Sequence, residues 1–246
     1  MYKDFNYKKM GSGPPLIVVT GGPGLEIYAL YPALEPLAKY RTLYFFDQYA
    51  CGIDSGDPKS ADFKKTLDHA CDFISKLGFS TFGLIGHSFG GVLSLAIAER
   101  LNNVSEIIFI CPIPLTSEVA NKMVAHRLPK ASSEEVAYIN MLKDNNSPES
   151  HLQMIYKLSS IDTYAKISES KFHYKSFDAN LCDAVWESMG DYDYSDVIKN
   201  FKGKSLLVTG KNDFIYREEQ TTYFDSVSEY YELDSVGHHP YVENKK

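Results

Sequence analysis

The sequence lacks any concentration of positive charge. Its 246 residues include 25 Lys and Arg against 32 Asp and Glu, which gives a net charge of −7, and the basic residues are scattered along the chain. Nucleic-acid-binding proteins need a basic patch that follows the phosphate backbone. The composition therefore argues against a nucleic-acid partner and favours a small organic substrate.

Long apolar runs and cysteine motifs are also missing. No uninterrupted stretch reaches the roughly 20 residues that span a bilayer, and the first residues, 1–5, have no secretory apolar core. Cys51, Cys71, Cys111 and Cys182 lie far apart, without CxxC spacing. We therefore expect free thiols in a reducing compartment, and a soluble cytoplasmic protein with no membrane partner.

What the sequence does contain is an alternation of short apolar runs and helical patterns. The apolar runs are predicted strands that can be buried on both faces of a sheet, and they cover residues 16–20, 42–46, 81–85, 106–111, 205–209 and 230–233. The helical patterns include residues 63–77, stopped by Gly78, a stretch around 30–39 and one through 220–224. Residues 5–13 are expected to be a polar lead-in. The alternation predicts an α/β fold, with a mostly parallel sheet and helices on both faces.

Residues 115–200 break this alternation. They form helical and polar segments without a convincing buried strand, and the strand pattern resumes at residue 205. The segment therefore interrupts a domain more readily than it begins one. We predict an α/β core formed by residues 1–114 and 201–246, with residues 115–200 inserted as a helical cap. The alternative is a separate helical domain.

The sequence around Ser88 predicts a nucleophile elbow. An apolar run ends in Gly86-His87-Ser88-Phe89-Gly90-Gly91, and a helical pattern follows over residues 91–100. A serine in a tight turn between strand and helix exposes its hydroxyl in strained backbone geometry, which only small neighbours permit. The amino terminus of the helix favours the negative charge that forms when a carbonyl is attacked. The alternative is a glycine-rich turn whose serine merely caps the helix.

A catalytic serine needs a histidine to take its proton and a carboxylate to orient that histidine. Two later predicted strands end in polar loops that contain Asp213 and His238. The chain order is then serine, aspartate, histidine, which is the order found where the nucleophile lies in a strand-to-helix elbow. The competing acid position, residues 112–114, has no carboxylate. Asp213 could instead cap the helix that follows it.

The remaining histidines near these loops have other interpretations. His238 and His239 could be exposed loop residues or a metal pair, but adjacent histidines point apart and no third ligand lies at zincin-like spacing. We therefore predict no metal and no cofactor. His87 is interpreted as a packing neighbour within the elbow.

A second glycine loop supplies the expected oxyanion donors. Residues 21–24 read Gly-Gly-Pro-Gly after the first predicted strand, and such a loop allows backbone amides to converge on one point. The amides of Gly22 and Phe89 are the predicted oxyanion hole. The alternative is a simple turn; a Walker loop is excluded because the Gly-Lys-Ser/Thr ending is absent.

Together these motifs resemble the α/β-hydrolase superfamily and, within it, the proline iminopeptidase (prolyl aminopeptidase) group. Residues 86–91 match the GHSxGG elbow of that group, and residues 21–24 match all but the first residue of its HGGPG loop. Residues 237–243 match its GHxPxxE motif, and this match selects His238 over His239.

A further stretch is similar to the group's DQRGxGxS motif, through Asp47-Gln48, Gly52 and Ser55. Two positions depart from the group's pattern: Thr20 replaces the loop histidine and Tyr49 replaces the arginine. We expect that corner of the site to be supported differently, which weakens the exopeptidase assignment.

The resemblance implies that cap glutamates bind the free amino group of the substrate. Residues 186–213 are similar to the segment that leads from the cap to the acid-bearing strand, and Trp186 and Glu187 are the substrate-binding candidates. Glu118 and Glu169 are alternatives for the same role. Members of the group continue after the position of Glu243 into a final helix, so either this end of the sheet is less covered or the chain is a shortened version.

The resemblance and the residues together predict a cofactor-independent serine hydrolase that works through an acyl-enzyme. The expected substrate is an N-terminal proline peptide or another small amide or ester. The alternatives are a carboxylesterase or carbon–carbon bond hydrolase with the same triad, and a non-catalytic ligand receptor on the same fold.

Overall fold

The structure, a computed structural model, describes residues 5–53 and 56–243. The described residues form one sheet with the strands β1 (Tyr7–Gly11), β2 (Pro15–Val19), β3 (Thr42–Phe46), β4 (Phe82–His87), β5 (Val104–Ile110), β6 (Lys204–Gly210) and β7 (Glu229–Leu233). Their α-helices are α1 (Phe63–Leu77), α2 (Phe89–Arg100), α3 (Ser117–Arg127), α4 (Ser133–Asn145), α5 (Pro148–Ile161), α6 (Ala179–Met189), α7 (Ser195–Asn200), α8 (Arg217–Thr221) and α9 (Pro240–Glu243).

The strand order is β1-β3-β2-β4-β5-β6-β7, and every neighbouring pair except β1 with β3 is parallel. β4, which leads to Ser88, lies at the centre between β2 and β5. In a parallel sheet the carboxyl ends of the strands share one edge, and ligands bind there. The loops after β2, β4, β6 and β7 therefore meet at the edge where the candidate site residues lie.

Both faces of the sheet are covered, as the apolar runs predict. In β2, Ile17 and Val19 pack into the apolar cluster that contains the buried residues of α1 and α2. The alternate residues Leu16 and Val18 pack into a second cluster, with Ile27. A strand buried on both faces must be apolar at every position. The predicted fold class, a mostly parallel sheet with helices on both faces, is confirmed.

The expected polar lead-in, residues 5–13, is wrong, because it contains the edge strand β1. This strand pairs antiparallel with β3, with Lys8 opposite Phe45 and Lys9 opposite Tyr44. The ammonium of Lys9 lies 5.5 Å from the centre of the Tyr44 ring. Lysines are common on edge strands because they discourage pairing with another chain, and they obscure the apolar alternation in the sequence.

Two helix predictions also need correction. Residues 30–39 do not form one helix; a short 3₁₀ turn, Ile27–Ala29, precedes this region and a second, Glu35–Lys39, lies within it. Pro32 and Pro36 lack the amide hydrogen that a continuous α-helix requires. The helix predicted through residues 220–224 ends at Thr221. By contrast, α1 spans the predicted residues and stops at Gly78, which has φ of +68°.

The segment predicted as a cap, residues 115–200, contains α3 to α7 between β5 and β6. Its helices α4 and α5 share an apolar cluster with Phe172, Tyr174 and Leu25, the last of which belongs to the glycine-rich loop after β2. None of the helices within residues 5–53 and 56–243 is long and apolar enough to cross a membrane. All four cysteines are free thiols, as expected.

Candidate active site

Ser88 lies in a sharp turn between β4 and α2, with φ of +55°. Its amide donates to the carbonyl of Ile110 at 3.0 Å, which ties the turn to β5. The flanking glycines are required by close backbone contacts. A Cβ atom on Gly86 would lie 2.2 Å from the carbonyl oxygen of Gly90, and one on Gly90 would lie 2.3 Å from that of Val19. The local sequence therefore forms an elbow because only glycine lets strand and helix approach so closely.

The structure brings together the three residues predicted to form a catalytic triad. His238 Nε2 lies 2.9 Å from Ser88 Oγ, and His238 Nδ1 lies 2.9 Å from Asp213 Oδ2. A carboxylate only accepts hydrogen bonds, so Nδ1 holds the proton and Nε2 is the acceptor for the serine hydroxyl. The Asp213 side chain is fully buried, and that of His238 is 5% exposed.

The Asp213 carboxylate is fixed from two further directions. The amide of Ile215 donates to Oδ1 at 3.0 Å, and the side-chain amide of Gln220 donates to Oδ2 at 2.9 Å. The helix after this loop, α8, begins at Arg217, with Tyr216 at its N-cap. Asp213 therefore does not cap α8, and the capping alternative for this residue is wrong.

The loop that contains His238 is held by residues of the 115–200 segment and by α9. The His238 amide donates to the carbonyl of Asp162 at 2.9 Å. The Glu243 carboxylate accepts from the amides of Gly237 at 3.0 Å and His239 at 3.3 Å. This explains the glutamate of the GHxPxxE motif, since it fixes the backbone on both sides of the histidine.

The other two histidines near the site are buried and neutral. The His87 side chain bonds the carbonyl of His238 through Nε2 at 2.9 Å, and burial, reinforced by the proximity of His238, lowers the pKa of His87 to about 3. His239 bonds the Tyr241 hydroxyl through Nδ1 at 2.9 Å, and burial lowers its pKa well below the usual value. His87 is thus a packing neighbour, as interpreted from the sequence.

The glycine loop after β2 lies against the elbow. A Cβ atom on Gly21 would be 3.2 Å from Ser88 Cβ. Phe89 is the first residue of α2, so its amide has no acceptor within the helix. Across the described ranges, neither the Phe89 nor the Gly22 amide donates to another backbone carbonyl. These are the two amides that the sequence predicts as oxyanion donors.

The two departures from the group's motifs have visible substitutes. The Gln48 side-chain amide donates to the carbonyl of Thr20 at 2.9 Å and to its hydroxyl at 3.0 Å, so Gln48 supports the start of the glycine loop. The Tyr49 hydroxyl bonds that of Ser60 at 3.1 Å, so the residue at the arginine position makes a neutral hydrogen bond.

Asp47 ties the loop after β3 to the segment that follows the glycine loop. Its carboxylate accepts from the amides of Ile27 at 2.9 Å and Ile53 at 3.2 Å. A Cβ atom on Gly52 would lie 2.3 Å from the same carboxylate, which accounts for glycine at that motif position. Ser55, the last residue of this motif, lies outside the described residues.

The substrate-binding candidates fall in different environments. The Trp186 ring is half-buried, with its centre 6.0 Å from that of Phe89, the residue that contributes a predicted oxyanion donor. Glu187 is exposed on α6, and Glu118 and Glu169 are exposed as well. The structure therefore brings only Trp186 into contact with a predicted site residue.

Sequence reasoning missed an ion pair between a half-buried arginine and a buried aspartate beside the histidine loop. The Arg127 Nε atom lies 3.0 Å from both carboxylate oxygens of Asp162, which is fully buried. The Arg127 guanidinium lies 5.0 Å from the centre of the Phe214 ring, and that ring lies 4.7 Å from the His238 ring. Arg127 and Asp162 are far apart in the chain and belong to no motif, so no sequence pattern marks them.

Among the described residues, one group of potential metal ligands shares Asp213 and His238 with the predicted triad. Donor atoms of Cys111, Asp213 and His238 all lie within 4.8 Å of one another. Burial raises the pKa of the Cys111 thiol well above its usual value, which disfavours the thiolate that a metal requires. Asp213 and His238 already bond each other, so the set fits a proton relay better than a metal centre.

The candidate site is identified by its catalytic side chains and not by the volume of a cavity. A groove of about 840 Å³ lies elsewhere, lined by residues that include Pro32, Pro36, Phe172 and Tyr241, and Ser88 is not among its lining residues. That groove lacks the serine, histidine and carboxylate combination found at the carboxyl edge of the sheet.

A family model described as the alpha/beta hydrolase fold matches residues 14–245. The chain belongs to the α/β-hydrolase family. This α/β-hydrolase is 30% identical over 154 residues to a proline iminopeptidase of Saccharolobus solfataricus, an alignment that covers 58% of this chain and 48% of the relative. It is 22% identical over 263 aligned positions to a proline iminopeptidase of Heyndrickxia coagulans, covering 96% of this chain and 88% of the relative.

The α/β-hydrolase also resembles solved structures over nearly its whole length. An esterase from Exiguobacterium antarcticum superposes with a TM-score of 0.73 and 15% identity, covering 96% of this chain and 89% of the esterase. At such low identity the likeness shows the fold alone. The sequence similarity to the two proline iminopeptidases confirms the predicted resemblance to that group.

Proposed function

We propose that this α/β-hydrolase is a serine hydrolase with Ser88 as nucleophile, His238 as general base and Asp213 as the residue that orients it. The observation that carries the proposal is the continuous chain of contacts, 2.9 Å from Ser88 Oγ to His238 Nε2 and 2.9 Å from His238 Nδ1 to Asp213. These are the distances that proton transfer from a serine hydroxyl requires.

The proposed reaction has two stages. Ser88 Oγ attacks the substrate carbonyl while His238 Nε2 takes the hydroxyl proton, and the amides of Gly22 and Phe89 receive the negative oxygen. His238 then gives this proton to the leaving group, and the acyl group stays on Ser88. In the second stage His238 deprotonates a water that attacks the acyl-enzyme, and the acid is released as the proton returns to Ser88.

A fluorophosphonate probe tests the nucleophile directly, because it phosphonylates activated serines. We expect the wild type to react and the Ser88→Ala variant to remain unlabelled. The other serines of the chain are the internal control. Labelling of Ser88→Ala would mean that another serine is the reactive one, and an unreactive wild type that is folded would favour a ligand receptor on the same fold.

We propose a small amide or ester as the substrate, with an N-terminal proline peptide as the leading candidate. This choice is supported by the GGPG, GHSFGG and GHHPYVE stretches and by relatives named proline iminopeptidase. Residues 115–200, as a cap, supply the selecting surface in this proposal, and Trp186 is the candidate whose ring lies beside that of Phe89. The setting we propose is the cytoplasm, supported by the four free thiols.

A carboxylesterase is the second candidate, and one contact favours it. A substrate with a free amino group needs a carboxylate at the site, whereas the glutamates implied for that role, Glu118, Glu169 and Glu187, are all exposed. The buried carboxylate of Asp162 is already paired with Arg127. Proline naphthylamide and a short acyl ester separate the two activities. A higher kcat/KM for the naphthylamide supports the aminopeptidase, and a clear preference for the ester replaces it with the esterase.

A further inference from the structure

Gln220 is a buried residue whose contacts belong to the proposed triad. It lies on α8 with no exposed surface. Its Nε2 atom donates to Asp213 Oδ2 at 2.9 Å and points toward the carbonyl of Pro112 at 3.5 Å. Pro112 follows β5, so a single side-chain amide connects the proposed acid with the turn after the neighbouring strand.

The orientation of this amide is determined by Asp213. Among the described residues, no hydrogen-bond partner reaches Gln220 Oε1, although this atom is fully buried. Leaving a buried acceptor unpaired is costly. The opposite orientation would place Oε1 against the carboxylate oxygen of Asp213, which is worse because two acceptors would then face each other. The hydrogen bond to Asp213 therefore sets the orientation of the Gln220 amide.

We propose that Gln220 is a positioning residue, which fixes the Asp213 carboxylate against His238 and draws part of its negative charge away from the imidazole. The inference rests on the proposed function, since it assigns Gln220 to the triad described there. A carboxylate that also accepts a hydrogen bond from an amide attracts the neighbouring imidazolium less strongly. Removing the amide should therefore let His238 protonate at higher pH.

Other groups around His238 could also influence its titration. They are Asp213 after β6, Cys111 after β5, His87 on β4, His239 in the same loop, Glu243 and Tyr241 on α9, and the Arg127–Asp162 pair. Burial keeps His87 and His239 neutral by lowering their pKa and keeps Cys111 protonated by raising its pKa. The variants below leave all of these groups in place.

The test compares Gln220→Met with Thr221→Val by NMR titration of protein with ¹⁵N-labelled histidine, with the His238 signals assigned from a His238→Asn variant. Methionine removes the amide but keeps an unbranched chain of similar length. Thr221→Val is the matched control, because the Thr221 hydroxyl donates to the Arg217 carbonyl within the same helix, at 2.8 Å. We expect the His238 midpoint to rise by about half a pH unit or more in Gln220→Met and to stay at the wild-type value in Thr221→Val.

A midpoint in Gln220→Met that is unchanged or lower overturns the positioning role. Gln220→Leu, which removes the same amide with a different shape, replaces the methionine variant if thermal unfolding shows that the latter does not fold. The titration needs no turnover, so it also separates the two proposals. An unmoved midpoint in an active enzyme rejects only Gln220, whereas a raised midpoint in an unreactive protein rejects only the hydrolase.

For an active enzyme, turnover supplies a second readout. The acid limb of kcat/KM should move upward with the His238 midpoint, and kcat should fall about tenfold with little change in KM, because the lost contact orients the base and does not bind substrate. A rise in KM at constant kcat would contradict a positioning role.

Discussion

Ser88 occupies a backbone conformation that a non-glycine residue reaches only under strain, with φ of +55° and ψ of −122°. The conformation persists because neighbouring groups fix both sides of the residue: its amide bonds Ile110, and its carbonyl accepts from Gly91 at 3.0 Å and from Ile113 at 3.3 Å. Such strain costs about 1–3 kcal/mol and is concentrated at functional sites. The proposed nucleophile therefore lowers the stability of the protein.

This strain predicts that two inactive variants of Ser88 differ in stability. Ser88→Gly and Ser88→Ala should both be inactive, but the glycine variant should be more stable than the alanine variant by about 1 kcal/mol, because glycine adopts this conformation without a Cβ clash. Urea unfolding of the two variants measures the difference, and the inactive background removes any effect of turnover. Equal stability, or a more stable alanine variant, would show that the turn is not strained.

The orienting role proposed for the Asp213 carboxylate can be tested by converting it to an amide. Asp213→Asn should lower kcat by about 10⁴-fold, because the amide can donate to Nδ1 and so stabilise the wrong histidine tautomer. Asp234→Asn is the matched control, since Asp234 is an exposed residue whose partner is Lys211 at 2.8 Å. Full activity in the Asp213 variant would exclude the proposed acid.

Site residues that belong to local motifs could be predicted from the sequence, and those that act through long-range contacts could not. Ser88 is recognisable because its glycine neighbours are required by backbone contacts within the elbow itself. Asp213 and His238 are recognisable because each lies in a polar loop that follows a strand of the sheet. Gln220 reaches Asp213 from a helix, and its residue type is ordinary for a helix, so nothing in the local sequence distinguishes it from a surface glutamine.

At the scale of elements, burial on both faces made most strands predictable, whereas edges and short helices were not. β2 and β4 are apolar at nearly every position because both faces are covered. β1 has one strand neighbour and a pattern of half-buried and exposed residues, so its sequence signal is weak. The 3₁₀ turns near residues 27–39 escape the helical periodicity because they are too short to repeat it.

The approach of β4 to α2 predicts which glycine substitutions disrupt the elbow. Gly86→Ala should destabilise by about 3 kcal/mol and abolish activity, since its Cβ would lie 2.2 Å from the Gly90 carbonyl oxygen and backbone must move. Gly83→Ala, on the same strand, is the control. Its Cβ would meet the side chains of Glu106 and Leu16, which can shift, so we expect about 1 kcal/mol.

Differential scanning calorimetry of both variants, together with fluorophosphonate labelling of Ser88, measures the two effects. If Gly83→Ala is as damaging as Gly86→Ala, general crowding of β4 explains the loss and the elbow has no special requirement. A stable and reactive Gly86→Ala would contradict the close approach of strand and helix.

At the scale of the whole molecule, the segment 115–200 is joined to the α/β core beside the proposed catalytic groups. The Asp162 carbonyl accepts from the His238 amide, and the buried Glu26 carboxylate next to the glycine loop accepts from the Lys175 amide at 2.9 Å. The Arg127 side chain neutralises Asp162. The stability of residues 115–200 and the alignment of His238 are therefore physically linked.

This link predicts a non-additive pair of variants. Arg127→Met should destabilise by about 3–5 kcal/mol, because it leaves the Asp162 carboxylate buried without a partner. Adding Asp162→Asn to Arg127→Met should recover part of that loss, since the unpaired charge is then removed. Urea unfolding of Arg127→Met, Asp162→Asn and the double variant completes a double-mutant cycle. Additive losses would mean that the pair is not coupled.

The buried neutral histidines make the stability of the whole molecule depend on pH. The pKa of His87 is about 3 in the folded protein against about 6.5 for an unperturbed histidine. Between these values the unfolded chain binds a proton that the folded protein excludes, so stability is present above about pH 6.5 and is lost as the pH falls toward 3. His239, whose pKa is also lowered, acts in the same direction.

Because each pKa unit corresponds to about 1.4 kcal/mol, His87 alone should reduce the free energy of unfolding by about 2 kcal/mol between about pH 7.5 and pH 5. His87→Gln keeps a donor for the His238 carbonyl but cannot titrate, so its loss over the same interval should be smaller than that of the wild type by this amount. His173→Gln is the control, because His173 is exposed and should change nothing. Urea unfolding at both pH values measures the three proteins, and equal losses in wild type and His87→Gln would mean that His87 accepts a proton within the folded core.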